Sequence, residues 1–126
     1  MELLLIRHAR PVRAEQADGP ADPALSVVGR RQAGALADWL ADEAIDAVYT
    51  SPLRRAVETA LPVARSLGVT AVPEPALSEY DADAQAYIPI EELRAAGDPR
   101  WMEVPDDIVG FQGRVVEGIE SLVARH

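Results

Sequence analysis

Short apolar runs and longer amphipathic segments alternate along the first part of the chain. Residues 2–7, 45–50 and 69–72 are mostly apolar or β-branched runs bounded by polar residues or proline, a pattern typical of strands buried on both faces of a sheet. Residues 33–40 and 53–67 instead repeat apolar residues at helical spacing. Strands that alternate with helices over short connections predict a parallel sheet with right-handed crossovers.

Capping and helix-breaking residues indicate where the helices begin and end. Ser26 is expected to be the N-cap of the first helix, because a serine hydroxyl accepts a backbone N–H of the first turn. Ser51 and Pro52 predict the start of the second helix, with serine as its cap and proline at its first position. We expect Gly68 to end this helix and Pro62 to kink or split it.

Two regions show less regular patterns. Residues 11–23 contain several prolines, a glycine and aspartates, which predict a loop. Residues 77–105 are irregular, apart from a short helix expected over residues 90–96 and stopped by Gly97. A last helix is expected to start near Asp106. Its predicted apolar face consists of Ile108, Phe111, Val115, Ile119 and Leu122.

The composition narrows the class of protein. With 126 residues, 48% of them hydrophobic and 26% charged, the chain is expected to form a single domain over residues 1–126. A net charge of −9 disfavours nucleic acid and anionic membranes as partners, and the lack of cysteine excludes disulfides and thiolate metal sites. The apolar run at residues 3–6 is too short for a signal peptide or a membrane span, so we expect a cytoplasmic protein.

Cationic side chains follow two of the predicted strands. Arg7 and His8 end the first run, and Arg54 and Arg55 follow the second. The carboxyl ends of strands are the ligand-binding edge of an open α/β sheet. Because the chain as a whole is acidic, a local cluster of arginine and histidine at this edge predicts a cationic pocket for phosphate.

Three segments, in this order and spacing, resemble the histidine phosphatase superfamily, the phosphoglycerate-mutase-like phosphatases. They are RHA at residues 7–9, DPALSVVGRRQA at residues 22–33 and SPLRRAVETA at residues 51–60. The resemblance covers residue 1 to about residue 80 and returns around Phe111 and Arg114. It implies a three-layer α/β/α fold around a mostly parallel sheet, a small phosphorylated substrate and no cofactor.

The resemblance also implies roles for the cationic residues. His8 matches the nucleophile that takes the phosphoryl group, which splits one difficult step into two easier ones. Arg7 and Arg55 match the two phosphate clamps, since forked guanidinium groups suit a phosphoryl group. Arg54, one residue before the family's arginine, is expected to lie outside the pocket. Ser51 is expected where its hydroxyl or backbone reaches a phosphate oxygen.

Carboxylates in residues 79–92 supply the expected proton donor. Glu79 matches the family's general acid, a role that requires a pKa raised by partial burial; an exposed loop carboxylate is the competing interpretation. Asp81 and Asp83 are neighbouring candidates. With Glu92 they also occupy positions 1, 3 and 12 of a calcium loop, but position 6 is Ala86 instead of glycine, so we expect no metal.

The sequence departs from the family at three places. Ala9 replaces the usual glycine, although its backbone carbonyl remains available to orient the imidazole of His8. The segment after Glu79 lacks the family's glycine-rich continuation. A second histidine, at the tip of a late buried strand, has no match, and His126 is not assigned this role because it closes a helical pattern.

The domain is therefore expected to be C-terminally incomplete, as a truncated form or a natural short variant, and to lack a late strand. The sheet edge or apolar face left exposed favours a homodimer.

Three functions remain open at this point. The leading one is hydrolysis of a small phosphomonoester through a phosphohistidine intermediate. The first alternative is a phosphoglycerate mutase, which shares the nucleophile. The second is a catalytically impaired module that binds a phosphorylated ligand or has a regulatory role, which the missing second histidine favours.

Overall fold

One pair of helices, packed against each other, places the candidate site. In the computed structural model, which describes residues 1–126, helix α1 is Val27–Leu40 and helix α2 is Arg54–Leu67. Ala37 and Leu40 of α1 pack with Val63 of α2 in a small apolar core. Helix α1 thus buries the apolar face that its spacing predicted. On α2 the apolar spacing predicted a different face from the one that is buried, which consists of Arg55, Thr59, Val63 and Ala64.

The ends of these helices confirm some of the capping signals and correct others. Ser26 caps α1, since its Oγ accepts the Gly29 N–H at 3.0 Å, and Gly68 ends α2 in the left-handed conformation at φ 69°. The predicted start of α2 at Ser51 is wrong: Ser51 Oγ accepts the Leu53 N–H at 3.2 Å, which forms a turn, and the helix begins afterwards. The helix also continues through Pro62 and is not split there.

Four short strands form two separate two-stranded sheets. Strand β2, Val48–Thr50, pairs in parallel with β3, Ala71–Pro73, so the predicted strand–helix–strand unit around α2 is confirmed. Strand β1, Ala14–Glu15, pairs antiparallel with β4, Ala86–Tyr87. This second pairing lies in segments that were expected to be irregular, because a two-residue strand leaves no periodic signal in the sequence.

The strand predicted at residues 2–7 is wrong. These residues pair with no strand, and Leu3 and Leu5 are 52% and 75% exposed. An apolar run encodes a preference for extended, buried backbone, but a ladder also needs a second strand at hydrogen-bonding distance. Strand β2 pairs only with β3. The structure therefore holds two small sheets in place of the single, mostly parallel sheet that was expected.

The C-terminal third follows the predicted helix pattern closely. Helix α3 is Ile90–Ala95 and helix α4 is Ile108–Ala124, capped by Asp107, whose carboxylate accepts the Gly110 N–H. On α4, Leu122 is buried and the remainder of the predicted apolar face is half-buried. This helix packs on the 3₁₀ turn Pro75–Leu77.

None of the helices combines the length and the apolar character that crossing a bilayer requires.

The loop that follows His8 crosses α1 at a glycine. The backbone N–H and the hydroxyl of Ser26 both donate to the Arg10 carbonyl oxygen at 2.9 Å. This holds the loop so close to the helix that a Cβ at Gly29 would collide with the same carbonyl oxygen. A side chain at this position would therefore push away the segment that carries His8.

Replacing Gly29 with alanine should destabilise the fold by about 1–3 kcal/mol, the usual cost of forcing extra volume into a packed contact. Gly34 is the matched control on the same helix, because a Cβ there meets nothing within 4 Å. Gly34→Ala should leave stability unchanged or raise it by up to about 1 kcal/mol through helix propensity. Urea unfolding of both variants measures the difference, and equal effects would contradict the close approach.

Candidate functional site

His8 is held against α2 by a buried hydrogen-bond chain. The backbone N–H of Ala9 donates to Thr59 Oγ1 at 2.9 Å, and that hydroxyl donates to the Arg55 carbonyl oxygen at 2.7 Å. The His8 side chain itself is only 7% exposed. The loop that bears the histidine is therefore fixed to the same helix turn that bears Arg55.

The backbone of Ala9 determines which nitrogen of His8 faces the site. His8 Nδ1 lies 2.8 Å from the Ala9 carbonyl oxygen. A carbonyl oxygen only accepts, so Nδ1 carries the hydrogen of this bond. The prediction that the Ala9 carbonyl orients the imidazole is confirmed. Nε2 then points away from the backbone, where it lies 3.2 Å from Glu79 Oε1.

Arg55 is the most deeply buried charge in the site. Its side chain is 1% exposed, and its Nη2 donates to Glu79 Oε2 at 3.3 Å and to Asp81 Oδ1 at 3.0 Å. Its Nε–H is buried and has no hydrogen-bond partner. Since an unsatisfied buried donor is costly, an anion that reached this nitrogen would be stabilised by it.

The two adjacent arginines face different surroundings, as the match of Arg55 to the family's arginine implied. Arg54 is 58% exposed and its Nε donates to Glu58 Oε1 at 2.8 Å, one turn along the helix. Arg55 points into the site instead. Neighbouring residues on a helix differ by about 100° in direction, which accounts for the separation.

The carboxylates of the site have pKa values shifted in opposite directions. The hydrogen bond with His8, helped by the Arg55 guanidinium, lowers the pKa of Glu79 although the group is partly buried. The expectation that burial raises this pKa is therefore wrong, because the neighbouring donors outweigh desolvation. Burial does raise the pKa of Asp81, whose attraction to Arg55 is insufficient to compensate.

The remaining predicted site residues lie at the margin. Arg7 is exposed, and its charge is close enough to influence the ionisation of Tyr87. The Ser51 hydroxyl accepts the Leu53 N–H at the turn before α2, and a contact of its hydroxyl or backbone with phosphate stays a prediction. Asp83 is exposed and makes no ion pair with Arg55.

Sequence reasoning missed two residues of this site. Thr59 is buried and joins the His8 loop to α2; its position four residues after Arg55 on one helix face was the available signal. Tyr87 lies with its ring 4.4 Å from the guanidinium carbon of Arg55. No local pattern indicated Tyr87, because its placement depends on the pairing of β4 with β1.

Taken together, the geometry provides a nucleophilic nitrogen, a buried guanidinium and a carboxylate within contact of both. Such a set of groups can hold an anion, attack it and protonate a leaving oxygen. No group of three or more histidine, cysteine, aspartate or glutamate side chains is arranged to hold a metal ion.

The chain is similar in sequence to known proteins. Residues 3–126 match the family model described as the histidine phosphatase superfamily, branch 1. The chain is 36% identical over 120 residues to phosphoserine phosphatase 1 of Hydrogenobacter thermophilus, covering 90% of this chain and 56% of that protein. It is 30% identical over 120 residues to a probable phosphoglycerate mutase GpmB of Yersinia enterocolitica, covering 94% of this chain and 55% of that protein. The chain thus spans about half the length of these relatives.

Solved structures show the same fold. The native mycobacterial glucosyl-3-phosphoglycerate phosphatase superposes with a TM-score of 0.67 at 22% identity, over 94% of this chain and 62% of that one. Its complex with VO3 gives a TM-score of 0.70 at 23% identity, over 93% and 64% of the two chains. The small sheets seen here therefore belong to an α/β fold of the phosphoglycerate-mutase-like type. Because the family model matches residues 3–126, nearly the whole of this chain, the chain belongs to branch 1 of the histidine phosphatase superfamily.

Proposed function

We propose that this protein hydrolyses a small phosphomonoester through a phosphohistidine formed on His8. The observation that carries the proposal is the environment of His8 Nε2. Its ring is oriented by the Ala9 carbonyl, Glu79 lies 3.2 Å away, and the buried Nε–H of Arg55 lacks a partner in the same site. Family membership supports the same chemistry.

A proton shared by His8 and Glu79 determines whether the histidine can attack and whether the carboxyl group can donate a proton. Because the Nδ1 hydrogen is used by Ala9, the contact between Nε2 and the carboxylate requires a second proton between them. Transfer of that proton to Glu79 leaves a neutral nucleophile and a protonated acid. Phosphate binding draws the Arg55 guanidinium away from the carboxylate, and loss of this neighbouring cation raises the pKa of Glu79.

The reaction then proceeds in two steps. Nε2 attacks phosphorus, the bond from phosphorus to the ester oxygen breaks, and Glu79 donates its proton to that oxygen, so the alcohol leaves. Water then attacks the phosphohistidine, gives a proton to the Glu79 carboxylate and releases inorganic phosphate from the ring nitrogen. Arg55 and Arg7 stabilise the charge on the phosphoryl oxygens in both steps.

Glu79→Gln should slow hydrolysis of an alkyl phosphate by about 10²–10⁴-fold, the range for a lost general acid. With p-nitrophenyl phosphate the loss in the first step should be much smaller, since p-nitrophenolate leaves without protonation. For the alkyl ester, kcat should fall as pH rises through the pKa of Glu79 in the complex, because the acid must be protonated.

Asp81→Asn is the matched control, because Asp81 contacts the same Arg55 nitrogen but does not reach His8. Asp81→Asn should slow hydrolysis of the alkyl phosphate and of p-nitrophenyl phosphate by similar factors. Steady-state kinetics of both variants on both esters, with burst measurements to isolate the first step, test the assignment. A dependence on leaving group that appears in Asp81→Asn and not in Glu79→Gln would transfer the acid role to Asp81.

The names of the relatives suggest the substrate class. One acts on phosphoserine and another on glucosyl-3-phosphoglycerate by name, so we propose a phosphomonoester of a small carboxylate-bearing metabolite. Phosphate release from phosphoserine, 3-phosphoglycerate and p-nitrophenyl phosphate, each compared at equal protein concentration, tests this directly. No release from any of them would contradict the hydrolase proposal.

Two other functions are supported by specific observations. A phosphoglycerate mutase is favoured by the GpmB relative, and would show isomerisation of 3-phosphoglycerate in place of phosphate release. A binding or regulatory module is favoured by the ion pairs of Arg55, whose guanidinium already contacts two carboxylates. It would show phosphate binding without turnover.

A further inference from the structure

Tyr87 contacts two groups of the proposed site at once. The guanidinium carbon of Arg55 lies 4.4 Å from the centroid of its ring. The imidazole of His8 packs edge-on at 6.5 Å between centroids and 64° between planes. The tyrosine is half-buried, and its hydroxyl makes no hydrogen bond within the protein.

A short antiparallel ladder fixes the backbone of Tyr87. Ala14 is its partner across the two strands, and the Gln16 N–H donates to the Gln85 carbonyl oxygen at 2.8 Å. The ladder joins the loop that follows His8 to the segment that follows Glu79. The ring is thus placed by the same two chain segments that supply the nucleophile and the carboxylate.

Arg55 needs a support that survives ligand binding. Glu79 and Asp81 hold one end of its guanidinium. A bound phosphate competes with both carboxylates for this cation, whereas the face of an aromatic ring attracts a cation without occupying its N–H donors. The Tyr87 ring is therefore compatible with phosphate on the same guanidinium.

We propose that Tyr87 is a positioning residue, whose ring face keeps the Arg55 guanidinium beside His8 when phosphate replaces the carboxylates. The role rests on the proposed phosphatase function and concerns how its phosphate site is held. Burial raises the pKa of Tyr87 to about 12, so the phenol stays neutral near pH 7 and adds no negative charge beside a phosphate.

Two substitutions separate the ring from the hydroxyl. Tyr87→Leu removes the aromatic face and should weaken binding of inorganic phosphate about tenfold, within the range for a desolvated cation–π contact. Tyr87→Phe keeps the face and should bind phosphate as the unmodified protein does. Titration calorimetry measures both, and kinetics should show the same order in kcat/KM.

Trp101→Leu is the matched control, because Trp101 makes a similar stack with Arg94, 4.6 Å from the ring centroid, outside the site. It should leave phosphate binding unchanged. Tyr87→Met provides a second non-aromatic variant should the leucine variant fail to fold, with circular dichroism and urea unfolding as the check on folding.

Each result bears on the proposal. Unchanged binding in folded Tyr87→Leu or Tyr87→Met would overturn it, and so would equal losses in Tyr87→Phe, which would assign the effect to the hydroxyl. Phosphate binding is measured without turnover, so the readout is independent of catalysis. An unmodified protein that binds phosphate but hydrolyses no ester would contradict the proposed function, while the variants would still report on Tyr87.

Discussion

Replacing His8 with asparagine should reduce phosphomonoester hydrolysis by a factor on the order of 10⁶, the scale on which removal of a covalent nucleophile acts in serine proteases. The reason is that Nε2 is the proposed attacking atom, so the variant cannot form the phosphohistidine. The amide of asparagine is similar in size to the ring edge it replaces but cannot attack phosphorus. Initial rates on the best substrate of the panel measure the loss.

The covalent intermediate gives a second readout of the same variant. Brief incubation with a phosphorus-32-labelled substrate should label the unmodified protein, and the label should survive alkali and be lost in acid, as a phosphohistidine bond requires. His8→Asn should take up no label. The chain has one other histidine, His126, which bonds to Tyr49 Oη at 2.8 Å, away from the site. His126→Asn should therefore retain the label, and label that persisted in His8→Asn would contradict the assignment.

The sequence predicted those features that depend only on residues close together in the chain. The Ser26 cap and the left-handed Gly68 follow from the chemistry of single residues. The orientation of His8 by Ala9 needs only adjacent atoms. The separation of Arg54 from Arg55 follows from the angle of about 100° between neighbours on a helix. Which of the two enters the site came from the family resemblance and not from the apolar pattern of α2.

Features that depend on distant pairing were not predictable from the sequence. Residues 2–7 have the composition of a buried strand, yet no strand lies beside them to complete a ladder. Tyr87 enters the site only through the pairing of β4 with β1, which two residues per strand cannot encode as a pattern. The pKa of Glu79 likewise depends on His8 and Arg55, which lie far from it in the chain.

Replacing Arg55 with alanine should lower turnover by about 10²–10³-fold, the scale for loss of one preorganised charge-stabilising donor. Its guanidinium is the buried cation of the site and its Nε–H is unpartnered, so a phosphoryl oxygen gains a contact that water replaces poorly. Arg54→Ala should cost far less, because Arg54 is mostly exposed and forms a surface ion pair with Glu58.

Arg55→Lys shows whether charge alone suffices. A lysine ammonium keeps the charge beside Glu79 and Asp81 but lacks the planar fork and the Nε–H, so we expect its activity to lie between that of the alanine variant and the unmodified protein. Removing Arg55 also leaves two half-buried carboxylates without their cation. Activities must therefore be compared per folded molecule, with urea unfolding as the measure. Equal losses at both arginines, or the larger loss at Arg54, would show that the register assigned to α2 is wrong.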